Sequence, residues 1–181
     1  MEKTASIYST RSLVVTAMFT ALLCISAYIS IPLPNGLHIT LLNFVVILIS
    51  LSFPIKQSVL IMVAWLLLGI AGIPVFAGGN AGIGYILAPY GGYNIAFIIT
   101  SALTPILCHK KYNRTHYTIV AVFSVILIDA IGSFWIMAMS GVGFKSAFAA
   151  GFMPFIVLDL LKAFVAAQIV PKIHTIINIS D

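Results

Sequence analysis

The sequence predicts an all-α integral membrane protein with six transmembrane helices, folded as a single membrane domain over residues 1–181. Hydrophobic residues make up 61% of the chain and charged residues only 7%, whereas a typical soluble domain carries about 25% charged residues. A soluble protein of this composition would have no charged shell. The apolar residues also fall into separate stretches, several of them near the length of about 20 residues that one helical crossing needs.

Six apolar stretches are the predicted spans. The second and third are short for a full crossing and are separated by only a few residues, FPIK, which predicts a tight helical hairpin. A long uncharged loop follows the third span, and a proline begins the sixth, a favoured position for proline at a helix start. The predicted spans are residues 12–31, 39–53, 57–71, 92–108, 117–140 and 154–176.

The basic residues predict that the N-terminus faces the cytoplasm. With this orientation, the outer segments hold only Lys145, and the bias agrees with the positive-inside rule. An even number of spans returns the C-terminus to the cytoplasm, so we expect a multi-pass protein of the cell membrane. The basic residues do not cluster into a groove, and no nucleic-acid partner is expected. The inner segments hold Lys3, Arg11, Lys56, Lys110, Lys111, Arg114 and Lys172.

The predicted outer loop, GIPVFAGGNAGIGYILAPYG at 72–91, is unlike a solvated connection. It has no charge and no clear helical period, and it is long for a connection. Irregular backbone at membrane depth persists only where it is buried in protein or lines a cavity. Its glycines allow close approach of the backbone to a ligand. We interpret the loop as a re-entrant lid over a small, partly apolar ligand; a plug that seals the bundle is the alternative.

Asp159 and Lys162 form a pair of opposite charges within the apolar run PFIVLDLLKAFVAAQI. A spacing of three puts both side chains on one face of a helix, and each costs about 2.5–3.5 kcal/mol at the centre of a membrane helix. A rise of 1.5 Å per residue puts Asp159 about 7 Å and Lys162 about 12 Å below the outer helix end at Pro154. The pair is therefore the first candidate for a ligand site, with a packing ion pair as the alternative.

The loop and the sixth span together resemble the BioY family, the biotin-specific S-components of energy-coupling factor (ECF) transporters. The matching segments are GIPVFAGGNAGIGYILAPYGGY at 72–93 and PFIVLDLLKA at 154–163. The first span also carries AMFTA at 17–21, an AxxxA pattern of the kind that these S-components use for docking, although the pattern occurs in many membrane helices. The family loop commonly ends in GPTGG, whereas this chain has APYGG at 88–92, which leaves the role of Tyr90 open.

The resemblance implies high-affinity biotin capture by the substrate-specific subunit of a transporter. Energy would come from a transmembrane coupling subunit and two ATPase subunits, with biotin as the ligand, no cofactor and no catalytic residue. Ala17 and Ala21 would let the coupling subunit pack closely. Polar groups of biotin would meet Asp159, Lys162 and Asn80, and the remaining implied site residues are Gly79, Phe76, Tyr85 and Tyr93.

Other functional classes stay open from the sequence. A stand-alone vitamin permease or channel should show a polar stripe along several spans or an inverted repeat, and neither is evident. An intramembrane enzyme would need a base or nucleophile pair, but the only membrane carboxylates are Asp129 and Asp159, on different spans. An S-component for another small vitamin would share the same features.

Several other residues carry weaker predictions. We expect Asp129 to bond a hydroxyl or amide on a neighbouring helix, and Trp65 and Trp135 to be interface anchors or core residues. The two cysteines, Cys24 and Cys108, have no metal-binding spacing and are interpreted as free core thiols. No metal site is expected.

Overall fold

The computed structural model describes residues 10–34, 36–108 and 111–177. Lys3 and Lys110, which contribute to the predicted orientation, lie outside these ranges. The described chain is mostly helical, as predicted, and it also contains a short hairpin and one 3-10 turn. The elements are α1 (Thr10–Ser26), β1 (Ser30–Pro32), β2 (His38–Thr40), α2 (Leu42–Ser52), α3 (Ile55–Ile70), the 3-10 turn Ala77–Gly79, α4 (Ile83–Leu87), α5 (Gly92–Leu107), α6 (Arg114–Ser140), α7 (Phe144–Gly151) and α8 (Met153–Ile176).

Each predicted span overlaps one of the longer helices, which are α1, α2, α3, α5, α6 and α8. Among the described residues, two helices are long and apolar enough to cross a membrane, α6 with 27 residues and α8 with 24. The others are apolar helices of 10–17 residues. The helical prediction is thus confirmed, and the number of membrane crossings stays a prediction.

The first predicted span is too long, because the helix ends at Ser26 and an antiparallel hairpin follows it. Ile31 lies opposite Ile39 in this hairpin. Pro32 lacks the N–H that a continuing helix requires, and Gly36 supplies the turn with a φ of 81°. The second helix consequently begins at Leu42 rather than at 39.

The short helix α7 lies in a segment that was predicted as outer loop. Gly141, with a φ of 65°, ends α6 in the left-handed conformation. The chain then packs α7 back onto α6 and α8. Gly151 makes this close packing possible, since a Cβ there would lie 2.8 Å from Ile136 Cδ1 and 2.9 Å from the Ser133 hydroxyl oxygen.

The core is centred on α2, in which nine of the eleven residues are buried. This helix packs against α5 and α8 as well as α1. The outside of the bundle is apolar instead of charged, with Val157 73% exposed, Met18 64% and Ile119 62%. Such a surface is stable in a bilayer and not in water, which supports the expectation of a membrane protein.

The two ends of the bundle differ in charge. Segment 72–91 covers one end, which we call the lid end. Lys145, on α7, is the one lysine or arginine in the described segments that join the longer helices at that end. At the opposite end, the Arg11 guanidinium donates to the Ile177 carbonyl over 2.9 Å, and His174 Nε2 lies 3.1 Å from the Ser52 carbonyl oxygen. The exposed basic residues at that end are Arg11, Lys56, Lys111, Arg114 and Lys172.

Candidate functional site

The lid, segment 72–91, is more regular than predicted. The Phe76 N–H donates to the Asn80 carbonyl over 2.9 Å, and this bridge encloses the 3-10 turn Ala77–Gly79. The five-residue helix α4 follows. A helix of five residues is barely more than one turn, so it leaves no detectable period in the sequence. The expectation of an irregular loop is therefore wrong for this part of the lid.

Two tryptophans hold the backbone of the lid near its ends. Trp65 Nε1 donates to the Val75 carbonyl over 2.9 Å, and Trp135 Nε1 donates to the Ala88 carbonyl over 3.1 Å. Trp65 is fully buried, so it is a core residue, which is one of the two roles predicted for it. A buried indole needs a partner for its N–H, and here the partner is the lid.

Phe76 anchors the lid to the bundle instead of lining the pocket. Its ring is fully buried, stacks on Tyr85 at a centroid distance of 5.4 Å and meets Trp65 edge-on at 5.3 Å. The ring occupies the space that a side chain at Gly69 would fill, since a Cβ there would lie 2.1 Å from two ring carbons.

We expect Gly69→Ala to loosen the lid. The added methyl group cannot fit beside Phe76 without displacing the ring, and overpacking of this kind costs about 1–3 kcal/mol. The melting temperature should fall, and limited proteolysis within 72–91 should become faster. Gly84→Ala is the matched control, because a Cβ there meets nothing within 4 Å. Equal melting and cleavage of the two variants would contradict the anchoring role of Phe76.

Asp159 and Lys162 are in contact with each other and with residues at and just before the start of α2. Asp159 is 1% exposed, and its Oδ1 accepts from Lys162 Nζ over 2.7 Å. Its Oδ2 accepts from the Asn43 side-chain amide. Lys162 Nζ also donates to the Thr40 carbonyl over 2.7 Å. The predicted pair is thus part of a four-residue polar cluster formed by Thr40, Asn43, Asp159 and Lys162.

A pocket lies beneath the lid, directly beside this polar cluster. Its empty space amounts to about 430 Å³, and this volume includes space that is open to solvent. Thr40 and Asn43 form part of its polar wall, together with His38 and Asn94. The cluster therefore borders the pocket through two residues that the sequence analysis missed.

The apolar wall of the pocket is largely aromatic. Tyr85 and Tyr93 line it, as predicted for the site, and so do Tyr90, Phe97 and Phe155. Tyr90, whose role the sequence left open, thus has a place at the pocket. Burial raises the pKa of Tyr85 from 10.0 to about 12; its phenol is neutral at physiological pH at either value.

Two predicted site residues on the lid, Asn80 and Gly79, are not among the residues that line the pocket. Asn80 is exposed, and its amide donates to the Ala77 carbonyl over 2.7 Å. A Cβ at Gly79 would lie 3.3 Å from the Tyr28 ring, so this glycine packs against the segment after α1. The structure brings Tyr85 and Tyr93 together with the polar cluster, but it does not place Asn80 and Gly79 in the same wall.

Asp129 differs from its expected role. It is fully buried on α6, and neither carboxylate oxygen has a hydrogen-bond partner among the described residues. The nearby Ser133 hydroxyl donates instead to the Asp129 backbone carbonyl over 2.7 Å. The expected bond to a hydroxyl or amide is therefore not formed.

Several known proteins are similar to this chain in sequence. Residues 1–179 match the BioY family model. The biotin transporter BioY of Thermotoga maritima is 35% identical over 159 residues, which are 88% of this chain and 93% of that one. A probable biotin transporter BioY of Pyrococcus horikoshii is 37% identical over 158 residues, covering 87% and 93%.

The fold is also similar to that of a solved protein, the S-component for biotin from an ECF-type ABC transporter, whose crystal structure extends to 2.1 Å. The TM-score is 0.81 at 26% identity, over 97% of this chain and 95% of that one. With the family model matched over nearly the whole length, the chain belongs to the BioY family.

Proposed function

We propose that the protein captures biotin and takes it across the cell membrane as the substrate-specific subunit of an ECF-type ABC transporter. The observation that carries this proposal is a lidded pocket whose polar wall is backed by the Asp159–Lys162 pair, in a chain of the BioY family. The relatives in Thermotoga maritima and Pyrococcus horikoshii have the same assigned substrate.

The chemistry of the pocket is compatible with biotin. The ureido ring offers two N–H donors and one carbonyl acceptor, next to an apolar thiophane ring and a valerate chain that ends in a carboxylate. Asp159 is an acceptor and Lys162 a donor, and Tyr85 and Tyr93 provide flat apolar faces. Hydrogen bonds to charged partners in a dry pocket are strong, so such a site would reject analogues that lack the ureido group.

The lid residues Asn80, Gly79 and Phe76 are proposed to act with the bound ligand. The Asn80 amide lies at the edge of the 3-10 turn, and a small shift of this turn on binding would bring the amide to the ligand. Gly79 allows the turn its positive φ of 78°. Phe76 would contribute indirectly, by holding Tyr85 against the pocket.

The proposed topology has six crossings with both termini inside. The basic residues at the end opposite the lid support a cytoplasmic location for that end, and the lid would then face outward. The short helix α2 is enclosed by its neighbours, so it need not span the full bilayer in contact with lipid. We propose that ATP hydrolysis takes place in two partner ATPase subunits and reaches this chain through a transmembrane coupling subunit.

Calorimetric titration of the detergent-purified protein tests this function. We expect one biotin per chain, with no heat of binding from an analogue whose ureido ring is absent. Uptake of labelled biotin by cells that also express the coupling and ATPase subunits tests transport. A folded, monodisperse protein that binds no biotin would rule out the proposed substrate.

We expect Trp135→Phe to release biotin faster than the wild type. The substitution keeps an aromatic ring but removes the N–H that holds the Ala88 carbonyl at the end of the lid. A hydrogen bond contributes about 1 kcal/mol, so the dissociation rate should rise about five-fold, as read from chase experiments with labelled biotin. Phe134→Leu, at an exposed neighbouring position, is the control and should not change the rate. An unchanged rate in Trp135→Phe would show that this end of the lid does not limit release.

A further inference from the structure

We propose that Asn43 contacts the ligand directly and that its side-chain carbonyl oxygen accepts one N–H of the cyclic urea. The inference rests on the proposed biotin function and assigns a recognition role to a residue of α2, outside the lid and outside the charged pair. Asn43 lines the pocket, whereas Asp159 is 1% exposed behind it.

The orientation of the Asn43 amide is fixed by its partner. The side-chain nitrogen donates to Asp159 Oδ2, and an ionised carboxylate can only accept. A flipped amide would place its oxygen against the carboxylate and would repel it. The Asn43 carbonyl oxygen is therefore the atom left for the pocket, and no donor among the described residues bonds to it.

The neighbouring groups make this oxygen a strong acceptor. An amide whose N–H bonds to a carboxylate is polarised, and chains of hydrogen bonds strengthen each other in a medium of low dielectric constant. Asp159 is held in turn by Lys162, over 2.7 Å, and the Lys162 ammonium is held by the Thr40 carbonyl. The whole cluster thus orients one acceptor toward the pocket.

An acceptor with no donor beside it selects a ligand that carries an N–H. A ligand group with only lone pairs would leave the Asn43 oxygen desolvated and unpaired, which is costly in a buried site. A cyclic urea supplies an N–H on each side of its carbonyl, so one edge of the ring can bond to Asn43 while another polar edge meets Lys162 or the lid. This assignment explains how Asp159, which is 1% exposed behind the wall, influences the ligand.

The test compares biotin with its two mono-N-methyl ureido derivatives. These are titrated into the wild type, Asn43→Ala and Asn43→Ser, with melting curves as a check on folding. We expect Asn43→Ala to weaken biotin binding by about 10- to 100-fold, the effect of one hydrogen bond backed by a charge. One N-methyl derivative should bind poorly to the wild type and regain affinity in Asn43→Ala, because its methyl group takes the vacated space.

The remaining outcomes separate the alternatives. Gln168→Ala is the control: it removes an amide from α8 that bonds to Thr118 far from the pocket, and it should leave all three affinities unchanged. If N-methylation of either nitrogen costs the same in the wild type and in both Asn43 variants, Asn43 only positions Asp159 and the inference is wrong. If the folded wild type binds no biotin, the proposed function fails first, and the inference fails with it.

Discussion

Asp159→Asn should lower the affinity for biotin by about 100- to 1,000-fold. The substitution removes the charge that holds both Lys162 Nζ and the Asn43 amide. It leaves the Lys162 ammonium, whose side chain is only 18% exposed, without its counter-charge, and breaking a buried pair in this way costs about 3–5 kcal/mol. Part of this cost falls on folding and part on binding, so calorimetry and a melting curve must be measured together.

The double variant Asp159→Asn/Lys162→Met separates the two contributions. It removes both charges, so no uncompensated ion remains and the melting temperature should return toward that of the wild type. Biotin affinity should stay low, because neither the carboxylate nor the ammonium is present. If the double variant recovered both stability and affinity, the pair would serve helix packing alone and the ligand would be bound elsewhere.

The charged pair was predictable from sequence because its two members lie one turn apart on one helix. A carboxylate and an ammonium within an apolar run are each costly in a membrane, so their spacing alone predicts a shared site. Their partner Asn43 could not be found in the same way, since it is 116 residues from Asp159 in the chain. The available signal was weak: Asn43 is an amide inside the apolar run LLNFVVIL.

The contacts that hold the lid were also not predictable from the sequence. Its glycines and its lack of charge predicted a segment folded over the bundle, and the structure places it over a pocket. The contacts that hold it come from distant helices, since the indoles of Trp65 and Trp135 bond to its backbone carbonyls. Backbone acceptors have no sequence signature, so neither tryptophan could be assigned to the lid in advance. Asn80 and Gly79 stay predictions for the ligand-bound lid.

The hairpin before α2 was missed for a different reason. Apolar residues continue through this region, and an apolar run does not by itself distinguish helix from strand. Pro32 and Gly36 were the available signals for a break in the helix. In the structure Pro32 ends β1, and Gly36 lies in the turn of the hairpin with a positive φ. The consequence for the site is direct, because β2 ends at Thr40, whose carbonyl accepts from Lys162.

Ala17→Trp and Ala21→Trp should abolish biotin transport while leaving biotin binding intact. The two alanines are four residues apart on one face of α1, and both are exposed, whereas Thr16, Thr20 and Leu23 face the rest of the protein. Small residues at this spacing let another helix approach closely. An indole at either position would hold the two helices apart, and dispersion contacts across the interface would be lost.

Docking through α1 predicts that the two alanine variants lose transport but keep biotin binding. Neither alanine lines the pocket under the lid, so calorimetry on the purified variants should give the wild-type affinity. Uptake, and co-purification with the coupling subunit, should both be lost. Ile119→Trp is the control, because it adds similar bulk to α6 at a position that is 62% exposed, and it should transport normally. Full uptake by both alanine variants would exclude docking through this face of α1. Loss of uptake in Ile119→Trp as well would mean that the effect is one of bulk in the membrane rather than of a specific interface.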